Sequence, residues 1–155
     1  MKIPPKVTKF LVKNKIKYEI ISHKTVYTAY DKAATLKVKL KIIGKTLVLK
    51  TNRGLVMVLI PGSKNLDKNK FKKAGKFKKA DFISETVMKN KFKGFKIGAV
   101  PPFGALFKIP AFVDRGLQKE KNILVSSGIY ESSIKISPKV AEKLGLIKGN
   151  FAKAK

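Results

Sequence analysis

Apolar residues recur along this chain in two periods, and the switches between them outline its elements. After Pro4-Pro5, the residues Val7, Phe10 and Leu11 stand at i, i+3 and i+4, the stripe of a short helix that starts at proline and stops near Asn14. Tyr18-Glu19-Ile20-Ile21 reads as a strand. A helix over 28–36 opens at Thr28, whose hydroxyl suits the N-cap position. The densest signal lies at 45–60, where two runs, Thr46-Leu47-Val48-Leu49 and Leu55-Val56-Met57-Val58-Leu59-Ile60, flank the turn Thr51-Asn52-Arg53-Gly54. Pro61-Gly62-Ser63 ends the second run.

Beyond that hairpin the pattern predicts a basic helix over 65–73 with Leu66 and Phe71 partly buried. A second helix over 78–93 carries Phe82, Ile83, Val87 and Met88, capped by Asp81 or Ser84. Glycine and proline punctuate a loop over 94–104. Strands are expected over 109–114, ending at Asp114, over 122–128, ending in small residues, and over 132–136. A helix over 137–145 has Ser137 as its cap, Pro138 at its first position and Gly145 at its stop. The lysine-rich tail over 149–155 is expected to fray. No repeat or linker divides the chain, so residues 1–155 read as one domain with a core over about 18–146. The class is α/β with several short, largely antiparallel strands. Strict strand–helix alternation is absent, which disfavours a doubly wound nucleotide fold.

Composition narrows the chemistry. Apolar residues make up 44% and aromatics 9% of the 155 residues, enough for a packed core and too much for a disordered chain. There is no cysteine and one histidine, His23, so neither thiol chemistry nor a Cys/His metal centre is expected. No apolar window is long enough to span a membrane, and the first residues lack a signal-peptide pattern, so the expected location is the cytoplasm.

The charge is the strongest compositional signal. The chain has 36 basic and 9 acidic residues, a formal +27. Such excess favours a polyanionic partner through steering and counterion release. Arg53 and Arg115 are the only arginines, and the rest of the cations are lysine. A lysine-dominated surface fits contact with a nucleic-acid backbone better than base reading, which prefers the bidentate guanidinium.

Gly44-Lys45-Thr46 superficially matches the end of a phosphate-binding P-loop. That motif needs a glycine five positions before Gly44 and a helix after the lysine. Lys39 stands at the first of these positions, and β-branched and leucine residues follow Thr46, so the lysine sits at the mouth of a strand. A serine hydrolase is also a poor fit, since Ser126-Ser127 lacks a nucleophile elbow and His23 is the sole imidazole.

Several segments, in order, resemble the YbaK/prolyl-tRNA-synthetase-associated editing domain family. They are the helix start at Thr28, the Lys45-Thr46-Leu47-Val48-Leu49 strand, Pro61-Gly62 leading to Leu66-Asp67, and the loop Gly98-x-x-x-Pro102-Phe103-Gly104. Ile109-Pro110 with Val113-Asp114, and Val125-Ser126-Ser127-Gly128, continue the match to about Leu144. The resemblance implies a curved, mixed, largely antiparallel sheet with surrounding helices. It also implies hydrolysis of the ester that joins a wrong amino acid to tRNA, here by a free-standing trans-editing deacylase. The implied substrate is Cys-tRNA(Pro) or Ala-tRNA(Pro). The alternative is a non-catalytic module of the same fold that binds tRNA or a synthetase.

By that resemblance Lys45 and Gly98 are the catalytic candidates, Lys45 anchoring or polarising the substrate and Gly98 offering its backbone N–H. Thr28, Thr46, Pro101, Pro102, Phe103, Gly104, Ser126, Ser127 and Gly128 are the implied substrate-binding set. Pro101 stands where the family commonly has a small polar residue, and Ile129-Tyr130-Glu131 departs from the basic and glycine residues often seen there. His23, Tyr27, Tyr30 and Asp114 are secondary candidates, with Phe103 and Tyr30 as stacking platforms and Asp114 more suited to orienting a turn. No metal or other cofactor is expected. The expected partner is the acceptor end of tRNA, held on the basic surface, with prolyl-tRNA synthetase as a second partner and no membrane.

Overall fold

The paired apolar runs at 45–60 form the central hairpin of the molecule in the computed structural model, which describes residues 2–155. Strands β2 (Gly44–Thr51) and β3 (Gly54–Pro61) pair antiparallel from Gly44 opposite Pro61 to Thr51 opposite Gly54. Alternate side chains of this hairpin enter two cores. Val48, Met57 and Leu59 face one, and Leu49, Val56, Val58 and Ile60 face the other. A strand buried on both faces must be apolar throughout, which is why β3 shows no polar alternation.

Two more strands lie parallel beyond β3, namely β6 (Ala111–Asp114) and then β9 (Leu146–Gly149). β5 (Ala80–Phe82) closes the opposite edge beside β2. The five-stranded order is β5-β2-β3-β6-β9. A second, antiparallel sheet has the order β1-β8-β7, from β1 (Tyr18–Ser22), β8 (Ser132–Ile136) and β7 (Ile123–Ser126). A bridge between Ile43 and Leu124 brings the start of β2 beside β7 and so joins the sheets.

Helices cover these layers. α1 (Pro5–Lys13) buries Val7 and Leu11 in the larger core. α2 (Ala29–Leu36) begins at Thr28, whose Oγ1 accepts the Asp31 N–H at 3.0 Å. No helix among the described residues is long and apolar enough to cross a membrane.

Four expectations are corrected. The segment at 65–73 does not begin as helix. Lys64–Leu66 forms β4, and Asp67 then caps α3 (Lys68–Gly75) by accepting the Lys70 N–H at 3.0 Å. The segment at 78–93 splits in two, since β5 pairs with β2 before Ser84 caps α4 (Glu85–Lys91). Apolar periodicity does not distinguish a three-residue edge strand from a helical turn, and pairing with Leu49–Thr51 decides the matter. The helix at 137–145 shrinks to a 3-10 turn at Pro138–Ala141, still capped by Ser137, and β9 follows it.

The tail is not frayed. Ala152–Ala154 forms β10 and pairs antiparallel with β4. Phe151 is fully buried against Phe71 and Phe112, with ring centroids 5.4 and 5.8 Å away. Asp114 secures the approach, its Oδ1 accepting the N–H groups of Phe151 at 2.7 Å and Ala152 at 2.9 Å. Two short helices were unforeseen: α5 (Gly104–Phe107), and α6 (Arg115–Gln118), whose first turn is capped by Asp114 Oδ2 on the Gly116 N–H.

Candidate active site

Gly44 precedes Lys45 where β2 begins beside β7. A Cβ at residue 44 would meet Leu59 Cδ1 at 2.9 Å and Val125 Cγ1 at 3.3 Å, so any larger residue has to displace these side chains where β2 starts beside β7. Where the strands converge, a narrow cleft with a cavity volume of about 40 Å3 opens. β2 contributes Gly44, Lys45 and Thr46, and β7 contributes Ser126. The face of α2 turned toward it carries Thr28, Ala29 and Lys32. Gly98 and Ala99 close one side, Ile129 and Tyr130 another, and Val26 and Tyr27 the rim.

The loop after α4 is clamped onto the turn after β7. The Gly128 N–H donates to Ala99 O at 2.7 Å, Lys96 N–H donates to Gly128 O at 3.0 Å, and the Tyr130 hydroxyl donates to Ile97 O at 2.6 Å. These bonds present Gly98 to the cleft at φ +82°. That left-handed conformation is strained for any residue with a Cβ.

The electrostatics are one-sided. No Asp or Glu lines the cleft, while two lysines do. Burial lowers the pKa of Lys45, and the positive charge of Lys155 lowers it further. Burial lowers Lys32 more strongly, to about 8. Burial raises the pKa of the Tyr130 phenol, and Tyr27 and Glu85 add to the rise. Thr46 Oγ1 is buried without a hydrogen-bond partner among the described residues. A desolvated hydroxyl of this kind is the sort of group that a bound ligand satisfies.

Of the residues named from sequence, Lys45, Gly98, Thr28, Thr46, Ser126 and Tyr27 meet at this cleft. The others lie elsewhere. Pro101, Pro102, Phe103 and Gly104 are all buried, and Phe103 stacks on Phe10 with centroids 5.4 Å apart inside the larger core. A fully enclosed ring cannot stack on an adenosine, so Phe103 anchors the loop from behind. Ser127 is fully buried, donating to Ser132 O at 2.9 Å beside the Ser132 hydroxyl. Gly128 acts through the backbone clamp just described.

His23 is engaged at both ring nitrogens. Nδ1 lies 2.8 Å from Lys24 O, which only accepts, so Nδ1 carries the proton, and Nε2 faces Ser133 Oγ at 2.9 Å. Tyr30 is exposed on α2 and does not line the cleft. Tyr27 is exposed at the rim, its ring edge-on to Tyr130 at 4.8 Å. Asp114 is the buried anchor of α6 and the C-terminal strand, away from the cleft.

Sequence reasoning missed Lys32. Its only local signal is helical spacing, four residues after Thr28 and therefore on the same face of α2. Ala99, Ile129 and Tyr130 were also missed as lining residues, because the backbone clamp that gathers them spans distant segments. Among the described residues there is no grouping of three or more His, Asp or Glu that could hold a metal ion.

Comparison with known proteins places this geometry. The family profile described as the aminoacyl-tRNA editing domain matches residues 23–144. A curated relative from Enterococcus faecalis, EbsC, described as a candidate Cys-tRNA(Pro)/Cys-tRNA(Cys) deacylase, is 29% identical over 136 residues, covering 87% of this chain and 81% of its own. The crystal structure of a hypothetical protein superposes with a TM-score of 0.87 at 24% identity, over 96% of this chain and 99% of that one. A structure described as a candidate trans-editing enzyme for prolyl-tRNA synthetase superposes with a TM-score of 0.81 at 21% identity, over 99% and 100%. With a mixed α/β fold shared along its length and a profile match over most of its residues, this chain belongs to the YbaK-type aminoacyl-tRNA editing domain family.

Proposed function

We propose that the protein is an aminoacyl-tRNA deacylase that hydrolyses the ester of mischarged tRNA, with Cys-tRNA(Pro) or Ala-tRNA(Pro) as the substrate type. The observation that carries this reading is the acid-free cleft in which the desolvated Lys45 stands with Gly98 and Ser126. An aminoacyl ester is already activated, so its hydrolysis needs an oriented water and a stabilised oxyanion more than a protein nucleophile. Water adds its oxygen to the ester carbonyl, and the charge that develops on the carbonyl oxygen falls to the Lys45 ammonium and the Gly98 N–H. Collapse breaks the carbonyl–ribose oxygen bond. The ribose oxygen takes a proton that originated on the water, and the free amino acid leaves. None of these steps requires a metal ion.

The size of the amino-acid end is set where Ser126, Ala99 and Ile129 line the cleft. The small Ser126 and Ala99, bounded by the bulkier Ile129, suit cysteine or alanine, although one methylene changes selectivity only by about 10–200-fold. The tRNA body is read through phosphates by surface lysines, including the exposed Lys70, Lys73 and Lys76 on and after α3.

The test is release of amino acid from a panel of mischarged tRNAs by the wild type and by Lys45→Ala. Release from one or two members, reduced at least about 100-fold in the variant as for loss of an oxyanion donor, supports the enzyme. No release from any member, with tRNA binding intact, leaves a non-catalytic binding module instead.

A further inference from the structure

Of the ten phenylalanines in this chain, Phe82 alone is exposed, at 53%. It stands in β5, the edge strand of the five-stranded sheet, opposite Leu49 of β2. The exposed Val87 of α4 lines the same groove, and the half-buried Leu55 and Ile83 extend its apolar floor. The cavity volume is about 640 Å3, within the range of about 300–1,000 Å3 that accepts a small organic group. Lys50 and Lys79 also line it. Asp81 is the only carboxylate among the described lining residues, and Lys68 Nζ stands 4.0 Å from it. The same Lys68 amine lies 4.8 Å from the centroid of the Phe82 ring. An exposed apolar patch rimmed by charge marks a surface that a partner covers. The groove shares no lining residue with the cleft. Lys45 lines the cleft and Lys50 the groove, roughly 16 Å apart along β2 at about 3.3 Å per residue.

We propose that this groove is a second RNA contact, in which an unpaired base stacks on Phe82 while its flanking phosphates meet Lys50 and Lys79. Single-stranded nucleic acid matches both halves of the surface. A base offers a flat π face to an exposed ring, and the phosphates on either side of it offer charge to lysines. A chain of formal charge +27 draws such a strand in from a distance. A blunt duplex keeps its bases stacked and presents mainly phosphates to the lysines. The carboxylates of an acidic peptide would meet the lysines but leave the ring unused. The proposal rests on the deacylase reading for the identity of the RNA as tRNA, whereas the stacking chemistry stands on the groove alone.

The experiment measures fluorescence anisotropy of the full chain with two labelled probes, a short single-stranded oligoadenylate and a blunt RNA duplex of equal length. Phe82→Ala weakens binding of the single strand by about 5–150-fold, the loss of one base stacked on a ring, and leaves duplex binding as it was. Phe82→Tyr keeps the ring and restores the single strand. Lys50→Met with Lys79→Met flattens the single-strand slope of log affinity against log salt by about 1.4, at about 0.7 per phosphate. The chain has no tryptophan, so Phe82→Trp places one indole at the groove, and a stacked base quenches its emission. This last variant also serves if Phe82→Ala does not fold.

Single-strand binding by Phe82→Ala that matches the wild type overturns the platform, as does an equal loss for strand and duplex. Bound single strand without quenching in Phe82→Trp, or an unaltered salt slope in the double lysine variant, overturns it too. An oligoglutamate peptide that binds with the same dependence on Phe82 assigns the groove to an acidic protein segment instead. Amino-acid release from mischarged tRNA by the wild type, measured on the same preparation, separates the two readings. Release together with single-strand binding indifferent to Phe82 sinks the platform alone. Phe82-dependent binding without release sinks the deacylase and leaves the platform standing.

Discussion

Lys32 and Gly98 show how single residues of the cleft carry strain. The folded state lowers the pKa of Lys32 to about 8 from 10.5, so the charged amine destabilises the fold. The sign follows from linkage: between these values the unfolded chain binds more protons, and stability rises with pH. Below pH 8 the penalty is complete, and above 10.5 it is gone. Lys32→Met is therefore expected to stabilise the protein at pH 7 by roughly 1–3 kcal/mol, and thermal unfolding followed against pH should show the gain shrinking toward pH 10. A variant no more stable than the wild type at pH 7 would remove the desolvation argument. Gly98→Ala meets no steric barrier, its Cβ lying 3.9 Å from the nearest atom, Tyr27 O, but it must adopt φ +82°. A stability loss of about 1 kcal/mol is expected from that strain, with a larger fall in amino-acid release if the Gly98 N–H faces the oxyanion. Lys45, Thr46, Gly98 and Ser126 were legible because each stands inside an ordered motif. Lys32 was not, because no local pattern marks one lysine among so many, and burial alone sets it apart.

Among elements, the C-terminal strand is the one most dependent on a distant residue. Asp114 ends β6, and its buried carboxylate accepts three backbone N–H groups, from Gly116, Phe151 and Ala152. Asp114→Ala leaves those donors unpaired and is expected to cost about 3 kcal/mol or more. Hydrogen exchange should speed up at Phe151 and Ala152 before it does in β3. Unchanged protection there would mean that Phe151 packing alone holds β10. The longest apolar runs made β2 and β3 readable, and the capping residues Thr28 and Ser137 were readable from their hydroxyls, whereas Asp81 and Ser84 stayed alternatives until β5 took Asp81. β4, β5, β9 and β10 were not, since strands of three or four residues owe their existence to partners far along the chain.

For the whole molecule, charge is the dominant quantity. The ion pairs among the described residues, Lys41–Glu120, Lys68–Asp81 and Lys148–Glu142, span 3.9–4.0 Å and involve partly or largely exposed groups, so they stabilise little. Arg53 is committed to the fold, donating to the Gly75 carbonyl with its guanidinium 4.5 Å from the Phe77 ring centroid. The cations left for a polyanionic partner are thus chiefly lysines. Replacing Lys70, Lys73 and Lys76 together by alanine should weaken tRNA binding and flatten the slope of log affinity against log salt by about two to three, close to one per phosphate contact. Fluorescence anisotropy across a salt series measures this, and an unaltered slope would exclude this part of the surface from the interface.

By itself the sequence determined the mixed α/β class, the central hairpin, the main helix caps and the polyanion-seeking charge. Each of these follows from local periodicity, capping chemistry or composition. Tertiary structure alone decided which candidates share a cleft. The Ile43–Leu124 bridge and the Gly128–Ala99 hydrogen bond draw β2, β7 and the Gly98 loop together, while Phe103, Ser127 and Asp114 turn into the interior. The physical reason is range. Periodicity and caps act over a few residues, whereas desolvation, close strand approach and the absence of a neighbouring carboxylate arise only when segments distant in the chain are packed against one another.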